Sequence, residues 1–173
     1  MSISKLKVGK SYISQGEFAI DGGQDAVIAT LLGSCVSACI WDAARGIGGM
    51  NHVLFTDDTS GSDQAYGHGV NSMELLINGL LRLGADRSTL KAKVFGGARM
   101  IDGLSNAGPR NVDFVKDFLR RESISYIGGD TGGNAARRLE FWPGTGRARV
   151  KSVALQVPLA PTETMTAHGV ELF

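Results

Sequence analysis

The sequence predicts a single α/β domain that is rich in strands and carries two amphipathic helices. The chain has 173 residues, of which 43% are hydrophobic and 20% charged, as in a globular domain of ordinary size. Glycine accounts for 24 residues, roughly twice its average share. Such a glycine content indicates many tight turns between strands. Short apolar stretches bounded by turn residues also outnumber stretches of helical periodicity.

Seven strands are predicted from apolar stretches that glycine or other turn residues bound. The last two alternate apolar with charged residues, so we expect them to be half buried, and Pro143–Gly146 between them has the composition of a hairpin loop. In chain order the predicted strands are Ala26–Leu32, Cys35–Trp41, Met50–Phe55, Lys91–Phe95, Ile124–Ile127, Arg137–Trp142 and Arg147–Val153.

Two other segments repeat apolar residues with the period of an α-helix. In the first, Asn71 or Ser72 is expected to cap the start and Gly84 to follow the end. The second is expected to open at Pro109. The polar segment Thr56–Gly69 before the first helix is predicted to be a loop that borders a site. The apolar stripes consist of Met73, Leu76, Ile77, Leu80 and Leu83 in the first helix and of Val112, Val115, Phe118 and Leu119 in the second.

Charge and hydropathy exclude several classes of partner from first consideration. Lys and Arg number 18 against 17 Asp and Glu, so no sequence-wide basic field predicts binding to nucleic acid. The segment Met1–Lys10 lacks the apolar stretch of a secretory signal. The longest apolar run, Leu31–Trp41, is interrupted and too short to span a bilayer. We therefore expect a cytoplasmic protein without membrane insertion.

Motifs for bound cofactors do not occur in the sequence. Three glycine pairs lack the lysine and hydroxyl that follow in a phosphate-binding loop, and the dinucleotide-binding pattern is missing. The histidines are scattered, and neither they nor the cysteines have metal-ligand spacing. A zinc site is therefore not expected. The residues concerned are Gly96-Gly97, Gly128-Gly129 and Gly132-Gly133, read as strand-end turns, and His52, His68 and His168, of which the last two are expected to face solvent.

A cysteine and a histidine on neighbouring predicted strands are the strongest candidates for chemistry. Cys35 ends the segment Leu32–Cys35 just before one strand, and His52 lies on the next. Paired residues of a hairpin have a constant index sum, so pairing Cys35 with His52 puts the turn centre between Ala43 and Ala44, within a segment of turn composition. The two side chains are then cross-strand neighbours, and a thiol and an imidazole can touch.

This pair has the composition of a nucleophilic site. An adjacent imidazolium favours the thiolate and can later donate its proton to a leaving amine or ammonia. Backbone amides around Gly33 and Ser34 are expected to hold the oxyanion, and Thr30 is the nearest upstream hydroxyl that can orient the imidazole. The alternative is that Cys35 is a small core residue, as Cys39 is expected to be. Two cysteines on one extended strand cannot form a disulfide, so both are expected to be free thiols.

Six motifs, in their order and spacing, resemble those of the CheD family of bacterial chemotaxis, the chemoreceptor glutamine deamidases. The resemblance extends from about Ile28 to Lys151, which is most of the chain. The motifs are Leu32–Val36 (LGSCV), Gly48–His52 (GGMNH), Met73–Asn78 (MELLIN), Lys93–Ala98 (KVFGGA), Arg110–Val112 (RNV) and Asp130–Gly133 (DTGG).

The resemblance implies a layered α/β sandwich and a defined reaction. The family hydrolyses the side-chain amide of particular glutamines in methyl-accepting chemotaxis receptors, which gives glutamate and ammonia. The family's catalytic triad corresponds here to Cys35 as nucleophile, His52 as general acid and base, and Thr30 as the residue that orients the histidine. No cofactor is implied, and family members can also bind the phosphatase CheC.

Two other functions fit the same residues. In one, the protein is a non-catalytic module that binds receptors or a CheC-like phosphatase, and Cys35 is vestigial. In the other, it is a general cysteine peptidase. The domain is expected to cover residues 1–173, with a core at about 15–156 and frayed ends. The segment Pro158–Phe173 is expected to be either a disordered tail or a strand that binds a partner.

Overall fold

A computed structural model describes residues 9–54, 63–100, 106–154 and 167–173, and within these ranges the side chains of 63–66 and 167–169 are not described. Ten strands and two α-helices lie in the described residues. The strands are β1 (Lys10–Tyr12), β2 (Phe18–Gly22), β3 (Val27–Leu32), β4 (Val36–Asp42), β5 (Ile47–Asn51), β6 (Lys91–Gly96), β7 (Ser125–Thr131), β8 (Ala136–Trp142), β9 (Arg147–Val153) and β10 (Ala167–Leu172), and the helices are α1 (Asp63–Arg82) and α2 (Ala107–Arg121).

The strands form two five-stranded sheets that pack against each other. The first sheet has the order β1-β3-β8-β9-β10 and the second the order β2-β5-β4-β6-β7. Apolar side chains of both sheets meet in one core, which includes Ile28 and Phe141 from the first sheet and Met50 and Phe95 from the second. Trp41 of the second sheet lies edge-on to Phe141 of the first, with ring centroids 6.1 Å apart.

Both helices cover the other face of the second sheet. Successive side chains of β4 point alternately into two cores. Val36, Ala38 and Ile40 pack with the helices, whereas Cys39 and Trp41 face the first sheet. A strand covered on both faces has no polar side, which is why β4 is a nearly continuous apolar run in the sequence. The layers are therefore helices, sheet and sheet, and the predicted α/β layered sandwich is confirmed.

One predicted strand is displaced. The strand expected at Met50–Phe55 is β5, which begins at Ile47 and ends at Asn51. The two glycines of this strand look like turn residues in the sequence, but neighbouring chain segments pack directly on them. A Cβ on Gly48 would lie 2.5 Å from the carbonyl oxygen of Pro143, and a Cβ on Gly49 only 2.7 Å from that of Ala19. Close packing, not a turn, requires glycine here.

The first helix begins earlier than its apolar stripe indicates. Helix α1 starts at Asp63, so caps at Asn71 or Ser72 are wrong, and residues 63–69 of the predicted loop are helical. Residues 56–62 of that loop lie outside the described residues. Gly67 and His68 near the start of α1 are exposed, and exposed positions add nothing to an apolar periodicity. Leu83, expected on the stripe, is 53% exposed.

The terminal strands do not appear in the sequence pattern. Strands β1 and β10 lie outside the core limits of about 15 and 156 that the sequence suggested, and β1 has only three residues. Strand β10 pairs antiparallel with β9 of the same chain. Phe173 follows it and packs edge-on against Phe95, with ring centroids 5.8 Å apart. Of the segment Pro158–Phe173, residues 158–166 lie outside the described residues, and 167–172 form a strand of this domain's own sheet.

Candidate active site

A threonine and a histidine from opposite sheets form a buried hydrogen bond. Thr30 lies on β3, His52 directly follows β5, and Thr30 Oγ1 is 2.7 Å from His52 Nδ1. The same hydroxyl donates to the carbonyl oxygen of Ile13 at 2.7 Å. Because a hydroxyl has one proton, Thr30 must accept from the N–H of Nδ1. This arrangement assigns the proton of the neutral ring to Nδ1 and leaves Nε2 free to act as a base.

The backbone of His52 is held by the segment before β2. His52 N donates to the carbonyl of Glu17 at 3.0 Å, and Gly16 N donates to the carbonyl of His52 at 2.9 Å. Burial lowers the pKa of His52 below its usual value of 6.5, and the negative charge of Glu17 opposes that shift. The imidazole is therefore neutral at neutral pH.

Cys35 shares a face with His52, but not in the register that the sequence suggested. Strand β4 pairs with β5 so that Cys39 lies opposite Met50, and an isolated bridge continues this register beyond the strand ends. The index sum is thus 89 and not 87, which places Ser37 opposite His52 and Cys35 on the diagonal. The direct pairing of Cys35 with His52 is wrong by two residues. Since the side-chain period of a strand is two, both side chains still point between the sheets.

Three consecutive carbonyl groups fix the loop that carries Cys35. Each accepts a hydrogen bond from the segment that follows β6 or from α2. Because a trans peptide is planar with its N–H opposite its C=O, the N–H groups of Ser34 and Cys35 are turned away from these anchors. These bonds therefore fix the orientation of the Ser34 and Cys35 amides. The bonds are Ala98 N to Gly33 O at 3.0 Å, Asn111 Nδ2 to Ser34 O at 2.9 Å and Gly97 N to Cys35 O at 2.8 Å.

A pair of glycines at the end of β6 makes this anchoring possible. Gly96 and Gly97 have φ angles of 103° and 70°, a region that side chains disfavour. A Cβ on Gly96 would lie 2.3 Å from the carbonyl oxygen of Cys35, and one on Gly97 would lie 2.2 Å from Cγ2 of Val112. Only glycine therefore allows the turn to approach both the Cys35 loop and α2.

A buried arginine braces the glycine turn from the other side. Arg137 is 6% exposed, and its Nε donates to Asp130 Oδ2 at 2.8 Å. Its Nη2 donates to the carbonyl of Gly132 at 2.6 Å and its Nη1 to that of Gly96 at 3.4 Å. The sequence did not indicate these roles for Arg137 and Asn111. The only signal was that GGA, RNV and DTGG occur among the family motifs.

The thiol of Cys35 is half buried between the sheets. Burial raises its pKa above 9.0, and a hydrogen bond from its own backbone N–H opposes that shift. With His52 neutral as well, the resting site contains a thiol and an imidazole, not a preformed ion pair. Cys35 and Cys39 are both free, as expected, and Cys39 is fully buried in the core. Burial also raises the pKa of Cys39.

The other two histidines lie on other elements of the fold. His68 is exposed on α1, and His168 is on β10. In the described part of the chain, no three side chains of His, Cys, Asp or Glu are grouped to hold a metal ion. Neither described helix has both the length and the apolar character needed to cross a membrane.

A half-buried thiol, an imidazole on the same face and a hydroxyl that orients the imidazole form the arrangement found in cysteine-dependent hydrolases. Comparison with known proteins narrows this class. Residues 55–152 match the family model described as CheD chemotactic sensory transduction. Together with the relatives described next, this match shows that the chain belongs to the CheD family.

Three relatives carry the name "Probable chemoreceptor glutamine deamidase CheD". The protein of Rhizobium leguminosarum bv. trifolii (strain WSM2304) is 49% identical over 164 residues, which cover 92% of this chain and 85% of that protein. The protein of Rhizobium meliloti (strain 1021) is 51% identical over 142 residues, with coverages of 80% and 77%. The protein of Caulobacter vibrioides (strain NA1000 / CB15N) is 47% identical over 174 residues, with coverages of 95% and 93%.

Proposed function

We propose that this protein is a cytoplasmic chemoreceptor glutamine deamidase that acts through Cys35, His52 and Thr30. In a single domain over residues 1–173, and without a cofactor, it hydrolyses the side-chain amide of specific glutamines in methyl-accepting chemotaxis receptors. The products are glutamate and ammonia. The observation that carries the proposal is the buried hydrogen bond between Thr30 and His52, which leaves Nε2 of His52 free on the face that Cys35 shares. Membership of the CheD family supports the choice of substrate.

The first step forms a bond between Cys35 Sγ and the carbon of the glutamine amide. His52 Nε2 takes the thiol proton as sulfur attacks, and the carbonyl π electrons move to oxygen. The loop at Gly33 and Ser34 directs backbone N–H groups towards that oxygen, because its carbonyls are engaged on the opposite side. The result is a tetrahedral intermediate beside an imidazolium.

The second step releases ammonia, and water then regenerates the thiol. The His52 imidazolium protonates the amide nitrogen, the carbon–nitrogen bond breaks, and a thioester remains on Cys35. His52 next takes a proton from water, the resulting hydroxide attacks the thioester carbon, and the carbon–sulfur bond breaks. The proton held by His52 returns to sulfur, and glutamate leaves. Thr30 accepts from Nδ1–H throughout and stabilises each imidazolium.

The pKa shifts of Cys35 and His52 favour transfer of the thiol proton during the attack over a thiolate that forms before substrate binds. Burial raises the pKa of Cys35 and lowers that of His52, and both shifts disfavour charge separation before substrate binds. A neutral thiol reacts slowly with small electrophiles. The site is therefore expected to be quiet until a receptor amide is positioned in it.

The test is site-specific deamidation of a purified receptor signalling fragment. Ammonia release and the mass change from Gln to Glu are measured with the unchanged protein, with Cys35→Ala and with Cys39→Ala. Cys39→Ala is the matched control, because Cys39 is the second free thiol and is fully buried on β4. We expect conversion with the unchanged protein and with Cys39→Ala, and none with Cys35→Ala. Conversion by Cys35→Ala at the unchanged rate would refute the mechanism.

The same experiment separates the alternatives. Binding of the fragment without conversion of any glutamine would identify a non-catalytic module that binds receptors or a CheC-like phosphatase. Cleavage of the main chain in a panel of unfolded proteins would identify a cysteine peptidase. A mass increase confined to particular glutamines of the receptor fragment supports the deamidase and identifies its substrate residues.

A further inference from the structure

A buried serine beside the candidate site has no hydrogen-bond partner. Ser37 lies on β4 and is 0% exposed, and its Oγ makes no hydrogen bond with any of the described residues. Buried hydroxyl groups in folded proteins nearly always have a partner. An alanine would fill most of the same space without the cost of an unpaired hydroxyl, so this serine needs an explanation.

The position of Ser37 connects it with the candidate catalytic pair. The register of β4 places it opposite Phe95 on β6 and, continued between the two pairs recorded with β5, opposite His52. Cys35 is two residues earlier, and residues two apart point to the same face of an extended chain. The hydroxyl is therefore on the inter-sheet face, next to both members of the pair.

The hydroxyl groups of Thr30 and Ser37 differ in whether their protons already form a hydrogen bond. Thr30 has committed its proton to the carbonyl of Ile13, so it can only accept from His52. Ser37 has not committed its proton to any described group. It can therefore donate to an acceptor that exists only during the reaction. The acceptor that arises on this face is the sulfur of Cys35 after the thiol has lost its proton.

We propose that Ser37 is a positioning residue of the Cys35–His52 pair, and that its hydroxyl donates a hydrogen bond to the sulfur once the thiol proton has moved to His52 Nε2. The step transfers one proton from sulfur to nitrogen, and the hydroxyl rotates without losing its own proton. A bond that forms only with the charged state lowers the barrier for the attack more than it stabilises the resting enzyme. This inference rests on the proposed function.

The titratable groups that face this pocket come from several elements. His52 follows β5, and Glu17 acts on it from the segment before β2. Cys39 is the next residue on the same face of β4, and Lys93 pairs with it from β6. From the first sheet, the guanidinium of Arg137 on β8 reaches the carbonyl of Gly96 on β6, and the hydroxyl of Thr30, which does not titrate, contacts His52. Ser37→Ala leaves all these groups in place, so a change in the titration of Cys35 reports the loss of the hydroxyl.

The test is the rate of alkylation of Cys35 by iodoacetamide as a function of pH, since only the thiolate reacts. Cys39→Ala is the background and matched control, because it truncates one heavy atom at a position equally buried on the same face. In this background, Ser37→Ala should raise the pH at which the alkylation rate of Cys35 is half maximal by about one unit. On the receptor fragment, kcat should fall roughly tenfold with KM unchanged, and Tm should not fall. Ser37→Thr, which keeps the hydroxyl, should restore the pH of half-maximal alkylation.

An alkylation profile that coincides with the control overturns the proposal, and so does an unchanged kcat. Because alkylation needs no receptor, this outcome is independent of the proposed function. If Cys35→Ala continues to deamidate while Ser37→Ala shifts the profile, the proposed mechanism through Cys35 fails and the proposed hydrogen bond between Ser37 and Cys35 stands. If Cys35→Ala is inactive and Ser37→Ala shifts nothing, the deamidase stands and the role of Ser37 fails.

Discussion

The hydroxyl of Thr30 has two partners and one proton, and this imbalance fixes the protonation of His52. Thr30→Val keeps the shape but removes both bonds. We expect kcat to fall on the order of 10²-fold, because the contribution of a positioned general base begins at about that size. Stability should fall by about 1–3 kcal/mol, because the carbonyl of Ile13 loses its buried donor. Deamidation kinetics and urea unfolding test both effects. Thr30→Ser should retain most of kcat, and equal losses in both variants would contradict this role.

His52 also gives stability a defined pH dependence. Burial lowers its folded pKa below the unfolded value of 6.5, so between these two values the unfolded chain binds more protons than the native protein. Stability is therefore unaffected by His52 above pH 6.5, decreases as the pH falls towards the folded pKa, and levels off below it. Urea unfolding of the unchanged protein and of His52→Gln at a series of pH values tests this. The unchanged protein should lose stability relative to His52→Gln as the pH falls through 6.5, and a relative gain in stability on acidification would show that the sign is wrong.

At the scale of elements, the glycine turn after β6 determines where Cys35 lies. A side chain on Gly97 meets strain at φ 70° and a contact of 2.2 Å with Val112. Gly97→Ala should therefore destabilise the fold by more than the roughly 1–3 kcal/mol of backbone strain alone, and kcat should fall through displacement of the Cys35 loop. Gly84→Ala is the control, because Gly84 has φ 101° and nothing within 4 Å of an added Cβ. Urea unfolding and deamidation kinetics compare the two. Equal losses of stability would mean that the contact with α2 has no effect.

The elements also show how far the sequence could be interpreted. Strands β3, β4, β6, β8 and β9 were predicted to within one residue at each end, and the hairpin of β8 with β9 lies where expected. Strands β5 and β7 are displaced from their predicted bounds, and β1, β2 and β10 were not predicted. Candidate roles for Cys35, His52 and Thr30 could be proposed from the sequence because such roles depend on residue types. The register of β4 with β5 could not be predicted, because Gly48 and Gly49 are required by neighbours that are distant in sequence. Long-range packing explains such glycines, and no local pattern contains that information.

At the scale of the whole molecule, the candidate site depends on the packing of two sheets. Phe173, which follows β10 of the first sheet, packs on Phe95 of the second. Phe173→Ala should lower the free energy of unfolding by about 1–3 kcal/mol, as expected for a partly buried aromatic side chain. Leu172→Ala is the control, because Leu172 is 72% exposed, and it should change stability by less than about 0.5 kcal/mol. Urea unfolding measures both, and a loss as large in Leu172→Ala would contradict the packing argument.

Thr30 belongs to one sheet, whereas Cys35 and His52 belong to the other. A sliding movement of one sheet relative to the other would therefore reduce activity without unfolding the protein. A displacement of about 1 Å is enough to cost on the order of 10²-fold in rate, yet it breaks no strand pairing. Far-ultraviolet circular dichroism would look native in such a protein. The near-ultraviolet signal would change, because Trp41 and Phe141 contact each other across the same interlayer boundary. The near-ultraviolet signal of this aromatic pair therefore reports on forms of the protein that are folded but inactive.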